Sequence, residues 1–234
     1  GVNFNLYYLI YKRKFKDIEY YTVVFVYLGI IAGSIILISI NIAGMYDHAG
    51  MAVKDAAFQV GSIITTTGYS TTDFDLWPSF SKTLLVTLMF VGACAGSTGG
   101  GIKVSRILIL LKTVGKELNN FIHPNSVRKI SVEGKQLEHS VLRSTNVYIM
   151  AYAAVYVLSI LIISLDNFDF TTNFTAVAAT LNNIGPGLAG VGPMANFSQY
   201  SPLSKIVLTF DVLAGRLELF PVLILFSWRT WKTK

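Results

Sequence analysis

Residues 58–71 have the sequence FQVGSIITTTGYST, a short apolar stretch that runs into threonines, a glycine and a tyrosine. The stretch lies between two hydrophobic segments that are each long enough to cross a membrane. A helix of about 13 residues reaches only about 20 Å, which is too short for a hydrocarbon core of roughly 30 Å. We therefore predict that this segment enters a membrane and turns back. Irregular backbone survives at that depth only inside protein or beside water.

The turn after the apolar part is Thr66-Thr67-Gly68-Tyr69. Such a turn can aim successive carbonyl oxygens at an axis, where they replace the hydration shell of a cation. Gly68 permits the positive φ that keeps those oxygens in line. An ordinary Thr/Gly turn between helices is the alternative, and the rest of the chain has to decide between the two.

The composition indicates an integral membrane protein, because 53% of the 234 residues are hydrophobic and only 14% are charged. The formal net charge of +6 does not favour nucleic acid as a partner. Lys and Arg lie in short segments between hydrophobic stretches, where they set membrane topology. The single cysteine, Cys94, excludes an intrachain disulfide framework. Since the chain opens on Gly1 without an initiator Met or a signal peptide, we expect a fragment of a longer protein.

The first predicted unit spans residues 20–114 and follows a cytoplasmic connecting segment, residues 1–19. A basic cluster places that segment inside the cell; it consists of Lys12, Arg13, Lys14 and Lys16. Residues 20–42 are almost wholly apolar and are predicted to span the membrane. Residues 43–57 are then predicted to form an outer loop before the re-entrant stretch.

Residues 79–114 form a second span that glycines interrupt. Glycine costs about 1 kcal/mol relative to Ala in a helix, and a broken span must be shielded by protein or face water. We predict an intramembrane gating loop here, with a tight helix crossing through small residues as the alternative. The loop comprises Gly92, Gly96, Ser97, Thr98, Gly99, Gly100 and Gly101. A phosphate-binding P-loop is disfavoured because Ile102 separates Gly101 from Lys103.

Residues 115–143 are polar with a basic excess, which predicts a cytoplasmic linker. The second unit, residues 144–234, then repeats the order of the first. A span at 144–165 is followed by a short helix at 171–181, which ends in a second glycine turn. That turn is Asn183-Ile184-Gly185-Pro186.

The last span, residues 203–228, carries Arg216 and Glu218. A cation within a span costs several kcal/mol unless it faces water or a partner. We therefore predict that Arg216 faces a pore and acts there as an electrostatic barrier to cations; a structural ion pair is the alternative. Glu218 lies on a different helical face and is predicted to pair with another helix.

The two units run in the same direction, because each begins and ends on a basic side. The predicted fold is an all-α integral membrane protein with two parallel repeats of helix, re-entrant pore helix, filter loop and helix. Both termini of the chain then lie in the cytoplasm. Most acidic residues between the helices fall on the outside, where they raise the local cation concentration if they line a mouth.

The four motifs together resemble the TrkH/KtrB potassium-uptake family. They are Thr66-Thr67-Gly68-Tyr69, the loop from Gly96 to Lys103, Asn183-Ile184-Gly185-Pro186-Gly187, and Gly215-Arg216-Leu217-Glu218. The resemblance covers essentially the whole chain. It implies a pore of four units in pseudo-fourfold arrangement, of which this chain supplies the third and fourth, or half of the pore.

The resemblance also implies roles for these residues. Filter positions that hold potassium are Thr66, Thr67, Gly68, Tyr69, Asn183, Ile184, Gly185 and Pro186. The glycine loop corresponds to the intramembrane gate, and Arg216 to the arginine that faces the pore. Potassium is the permeant ion, and no organic cofactor is expected. The location is the bacterial cytoplasmic (inner) membrane.

The partners that the resemblance implies are the N-terminal half of the same protein, a second copy in a homodimer, and membrane lipid. A cytosolic nucleotide-binding regulatory subunit of the TrkA or KtrA type is also implied, with the basic linker as its docking surface. Two units cannot close a pore, so the missing half lies upstream or two copies of this half assemble; we favour the former.

Two other functions compete with a channel-like pore. An intramembrane enzyme is disfavoured because His48, His123 and His139 all fall in predicted loops. An ion- or proton-coupled secondary transporter with broken helices is the second alternative. Such transporters often use inverted repeats, whereas these repeats are parallel.

Overall fold

A computed structural model describes residues 1–13, 22–97, 99–124, 129–226 and 228–232. Lys14 and Lys16 of the basic cluster and Thr98 of the glycine loop lie outside the described residues. Within them the chain forms ten α-helices, numbered in chain order: α1 Phe4–Tyr11, α2 Thr22–Ile42, α3 Ala49–Ile64, α4 Ser79–Phe90, α5 Val104–Ile122, α6 His139–Ile163, α7 Phe170–Leu181, α8 Pro202–Arg216, α9 Leu219–Leu225 and α10 Trp228–Trp231.

Two of these helices are long and apolar enough to cross a membrane. The first extends through α2 over Thr22–Met45 and the second through α6 over His139–Asp166. Each exposes a row of large apolar side chains, such as Ile40 on α2 and Met150 on α6, which are 71% and 72% exposed. Continuous apolar surface of this kind is typical of a lipid-facing or partner-facing helix.

Each long helix packs against a short one. Helix α3 packs on α2 and α4, and α7 packs in the same way on α6 and α8. The two sets join where α4 meets α7. At that junction the ring of Phe90 lies 5.4 Å from the ring of Tyr156 and 6.1 Å from that of Phe174, distances at which aromatic rings attract each other. Helix α4 therefore contacts both short helices, α3 and α7.

Helix α3 begins earlier than the sequence predicted. It starts at Ala49, so Lys54 and Asp55 lie on the helix and not in an outer loop. The turns before Phe58 are rich in alanine, the best helix former, and Ala52 and Ala56 are buried. The predicted loop of residues 43–57 is thus wrong from Ala49 onward.

The segment between the two units also differs from the prediction. Helix α5 continues to Ile122, and α6 begins at His139, so both ends of the predicted linker 115–143 are helical. Between them the strands β3 (Ser131–Val132) and β4 (Lys135–Gln136) form a small antiparallel pair. The chain is therefore not purely α-helical.

The last predicted span breaks in two. Helix α8 ends at Arg216, and Glu218 takes a positive φ of 66° before α9 begins. Positive φ is uncommon for a residue with a side chain. The break follows directly after Gly215, whose Cα lies against the end of α7: an added Cβ there would lie 1.9 Å from the carbonyl oxygen of Leu181.

The N-terminus of α7 is capped by Asp169. Its carboxylate accepts hydrogen bonds from the hydroxyl and from the backbone N–H of Thr172, and these bonds hold the pKa of Asp169 below its usual range. The N-cap residue of helix α3 is His48, whose side chain makes no capping bond. The two short helices therefore differ in how they start.

We predict that Asp169→Ala lowers the stability of the full-length protein by about 0.5–1 kcal/mol, since Asp169 is a helix cap exposed to solvent. A thermal unfolding series in detergent measures this. Asp169→Asn is the control, because its amide oxygen still accepts the Thr172 N–H bond. Because folding lowers the pKa of Asp169, the stability that its carboxylate contributes is complete above the unfolded-state pKa of about 3.9. That stability is lost as the pH falls through the folded-state pKa. An equal loss in both variants at pH 7 would contradict the capping role.

Candidate ion site

The two short helices end in the same backbone pattern. After α3, Thr66 takes φ 57°, and after α7, Asn183 also takes φ 57°. The N–H groups of Thr67 and Gly68 donate to the carbonyl of Ser62 at 2.9 and 3.4 Å. In the same way, the N–H groups of Ile184 and Gly185 donate to the carbonyl of Ala179 at 2.8 and 3.4 Å. These bonds use carbonyls that a helix end leaves without partners.

The two glycine turns lie against each other at Gly68 and Ile184. Gly68 has φ 81°, and an added Cβ would lie only 1.9 Å from the carbonyl oxygen of Ile184. Gly185 has φ 112°, but no atom would lie within 4 Å of its added Cβ. The structure thus brings together the two sets of predicted filter residues, 66–69 and 183–186, and leaves open space beside Gly185.

Polar side chains of α3 hold the first turn. The Ser62 hydroxyl donates to the carbonyl of Tyr69 at 2.5 Å, and the Gln59 amide donates to the carbonyl of Thr72 at 3.4 Å. Gln59 is fully buried. Sequence reasoning missed the role of both residues, although their polarity within an apolar re-entrant segment was the signal.

Polar side chains of α7 hold the second turn in a similar way. The Thr175 hydroxyl accepts from the N–H of Leu188 at 2.9 Å, and the Thr172 hydroxyl accepts from the N–H of Gly190 at 3.0 Å. Buried Asn173 accepts from the Tyr200 hydroxyl at 3.0 Å. Both turns are therefore fixed from the helix that precedes them.

The predicted gating loop lies against the ends of both short helices. The strands β1 (Val91–Gly92) and β2 (Ile102–Lys103) pair in parallel and close the loop at its base. At its far side the N–H of Gly100 donates to the Thr66 hydroxyl at 3.1 Å. An added Cβ on Gly100 would lie 2.6 Å from the carbonyl oxygen of Asn182. Only glycine permits this approach to backbone.

The rest of the loop is held by its own chain. The Lys103 ammonium donates to the carbonyl of Gly99, and the Ser97 hydroxyl donates to the carbonyl of Cys94 at 2.6 Å. Gly96 has φ 77° and lies beside the side chain of Asn3. The side chain of Lys103 therefore stabilises the glycine loop that precedes it.

Arg216 lies at the end of α8 with an exposed side chain. We call the residues at which a short helix runs into its turn the foot of that turn: Thr65 and Thr66 after α3, and Asn182 and Asn183 after α7. The neighbour of Arg216, Gly215, contacts the end of α7 beside the foot of the second turn. Glu218 pairs with Arg106 of α5 at 3.0 Å, which confirms the predicted pairing with another helix. The Arg106 guanidinium also lies 4.0 Å from the centre of the Tyr148 ring, a favourable cation–π distance.

A cavity of about 630 Å³ opens beside the second turn. Asn183, Ile184 and Gly185 line it on one side, and Lys205 and Thr209 of α8 line it on another. Among the described residues, no group of three or more His, Cys, Asp or Glu is placed to hold a metal ion. The oxygens at the meeting point of the two turns belong to the main chain and to Thr hydroxyls. Such oxygens suit a dehydrated monovalent cation.

The family model for TrkH, described as a cation transport protein, matches residues 21–232. The chain belongs to the TrkH family. The resemblance inferred from the four motifs is confirmed. Membership of TrkH also places the chain in a family of membrane transporters, and the names of the relatives include no catalytic activity.

TrkH relatives match most of the chain. The Trk system potassium uptake protein TrkH of Escherichia coli (strain K12) is 42% identical over 188 residues, covering 80% of this chain and 38% of the relative. The protein of the same name from Vibrio parahaemolyticus is 39% identical over 224 residues, covering 95% of this chain and 45% of the relative.

A solved structure matches the fold. The crystal structure of the potassium transporter TrkH from Vibrio parahaemolyticus superimposes with a TM-score of 0.81 at 38% identity. The match covers 88% of this chain and 44% of that one. The chain thus spans less than half the length of these TrkH relatives.

We predict that Gly68→Ala is far more damaging than Gly185→Ala. Both positions have positive φ, so each change carries similar backbone strain of about 1 kcal/mol. Only Gly68→Ala also drives a Cβ into a carbonyl oxygen, at Ile184. The measurement is the melting temperature of the two full-length variants in detergent, where Gly68→Ala should melt clearly lower. Equal melting temperatures would contradict the close approach of the two turns.

Proposed function

We propose that this chain is the part of a potassium uptake protein that supplies two of four filter strands to one ion pore. The observation that carries the proposal is the approach of Gly68 to the carbonyl of Ile184, which sets two carbonyl-bearing turns side by side. Short helices of 16 and 12 residues lead into those turns. The names of the relatives, potassium uptake proteins, support potassium as the ion that passes.

In this proposal the main-chain oxygens of two turns replace the water around potassium. The residues concerned are Thr66, Thr67, Gly68 and Tyr69 in one turn and Asn183, Ile184, Gly185 and Pro186 in the other. Helices α3 and α7 hold the turns rigidly, so the oxygens stay apart when no ion is bound. Rigid, partly dehydrated sites of this kind favour an ion whose size matches the spacing.

The glycine loop acts as the gate in this proposal. It lies at the foot of both turns, where the Gly100 N–H donates to the Thr66 hydroxyl and Gly100 packs on the carbonyl of Asn182. Glycine residues leave the loop free to change conformation. A shift of the loop away from the feet of the turns would open the path toward the cytoplasm.

In this proposal the other two filter strands come from the N-terminal half of the same protein, since the chain spans less than half the length of its TrkH relatives. The exposed apolar rows on α2 and α6 face lipid or a second copy in a homodimer. The protein lies in the bacterial cytoplasmic membrane with both ends of this segment inside. A cytosolic nucleotide-binding subunit of the TrkA or KtrA type docks on the basic segment 115–143.

Rubidium uptake by the full-length protein tests the function. We predict that proteoliposomes take up rubidium, that potassium competes with it, and that sodium competes at least about tenfold less well, as a filter with about 1.4 kcal/mol of preference requires. Liposomes without protein are the control. Equal competition by sodium and potassium, or uptake that needs a proton gradient, would favour a coupled secondary transporter instead.

Arg216→Ala should raise the rate of rubidium uptake. A positive charge near the path repels a cation by about 1 kcal/mol in a water-like medium, and removing it corresponds to about a fivefold gain in rate. Arg216→Lys is the matched control, since it keeps the charge and should stay near the wild-type rate. An unchanged or lower rate in Arg216→Ala at equal expression would count against the barrier role.

A further inference from the structure

The feet of the two turns are anchored differently. At the end of α3, the bonds of the Thr65 hydroxyl to described residues are local: it donates to the carbonyl of Gly61 and bonds the hydroxyl of Thr67, both at 2.7 Å. At the end of α7, the side chain of Asn182 is fully buried and reaches another helix. The second turn therefore depends on a contact that the first turn lacks.

The partner of Asn182 is Tyr152 on α6. The Tyr152 hydroxyl donates to the amide oxygen of Asn182 at 2.9 Å, and the amide nitrogen of Asn182 donates to the carbonyl of Ala178 at 2.8 Å. The carbonyl of Ala178 can only accept, so the orientation of the amide is fixed. Tyr152 is itself held between the stacked rings of Tyr148 and Tyr156.

Asn182 is also the residue that the gating loop contacts. An added Cβ would lie 2.6 Å from the Asn182 carbonyl oxygen at Gly100 and 3.0 Å from its amide oxygen at Gly101. Asn183, the next residue, donates from its side chain to the carbonyl of Val212 at 3.0 Å. Asn182 thus contacts both the gating loop and α6, and it lies directly before the second filter turn.

We propose that Tyr152 is a positioning residue: through its hydrogen bond to Asn182 it sets both the start of the second filter turn and the surface on which the gating loop rests. This inference rests on the proposed function. Without the hydroxyl, the buried amide oxygen of Asn182 loses its donor, and an unsatisfied buried group drives its surroundings to rearrange. The glycine loop packs directly against Asn182 at Gly100 and Gly101, so the rearrangement reaches it.

The test compares Tyr152→Phe with Tyr156→Phe in the full-length protein. Both tyrosines are buried on the same helix, and the Tyr156 hydroxyl also donates one bond of 2.9 Å, to the carbonyl of Phe174 in the middle of α7. The two variants therefore lose one hydrogen bond each, but only Tyr152→Phe affects the foot of the turn. Rubidium uptake with sodium and with potassium as competitors, and the melting temperature, are measured for both.

We expect Tyr152→Phe to lower the preference for potassium over sodium by about threefold or more, the size of one net hydrogen bond, and Tyr156→Phe to leave it unchanged. In an Asn182→Leu background, Tyr152→Phe should then have no further effect, because the two residues act as one unit. If both tyrosine variants only lower the melting temperature, or shift the preference equally, the positioning role is overturned. Wild-type protein that takes up no rubidium overturns the proposed function itself.

Discussion

Backbone N–H and carbonyl groups that lie deep within an apolar bundle need partners, and this requirement governs the centre of the chain. The two short helices end there, and each end would leave carbonyls without bonds. Left-handed residues, Thr66 and Asn183, fold the chain back so that two N–H groups reach one helical carbonyl. The Tyr69 carbonyl accepts a hydrogen bond from the Ser62 hydroxyl of α3; in the proposed function the other carbonyls of the turns face the ion path. A cation is the natural partner for oxygens left in that position.

The two turns solve this problem with different side chains. Thr65 bonds within its own turn, whereas Asn182 depends on Tyr152 of the neighbouring helix. The glycine loop contacts both turns, through the bond to Thr66 and the close approach of Gly100 to Asn182. The feet of the turns are therefore not equivalent surfaces for the loop. If the loop moves as proposed, it has to break the bond to Thr66 on one side and separate from the closely packed Asn182 on the other.

The sequence was sufficient for the features that depend on local chemistry. The Thr-Gly pattern of 66–69 and the Gly-Pro pattern of 183–186 predicted both turns, and the cluster of glycines predicted the broken span. Prediction from the sequence failed where tertiary contacts override local signals. Helix α3 starts at Ala49 because burial of Ala52 and Ala56 outweighs the charges beside them. The hydrogen bond between Tyr152 and Asn182 joins residues 30 positions apart. Nothing in the type of either residue indicates in the sequence that the other is its partner. The break at Glu218 follows from the close packing of Gly215 on α7, which no local pattern reveals.

Anomalous diffraction from crystals of the full-length protein grown in rubidium tests the central claim most directly, because rubidium substitutes for potassium and scatters anomalously. We predict an anomalous peak within coordination distance of the main-chain oxygens of residues 66–69 and 183–186, on an axis shared by both turns. Rubidium bound only elsewhere in the protein, with no anomalous peak between these two turns, would contradict ion binding there.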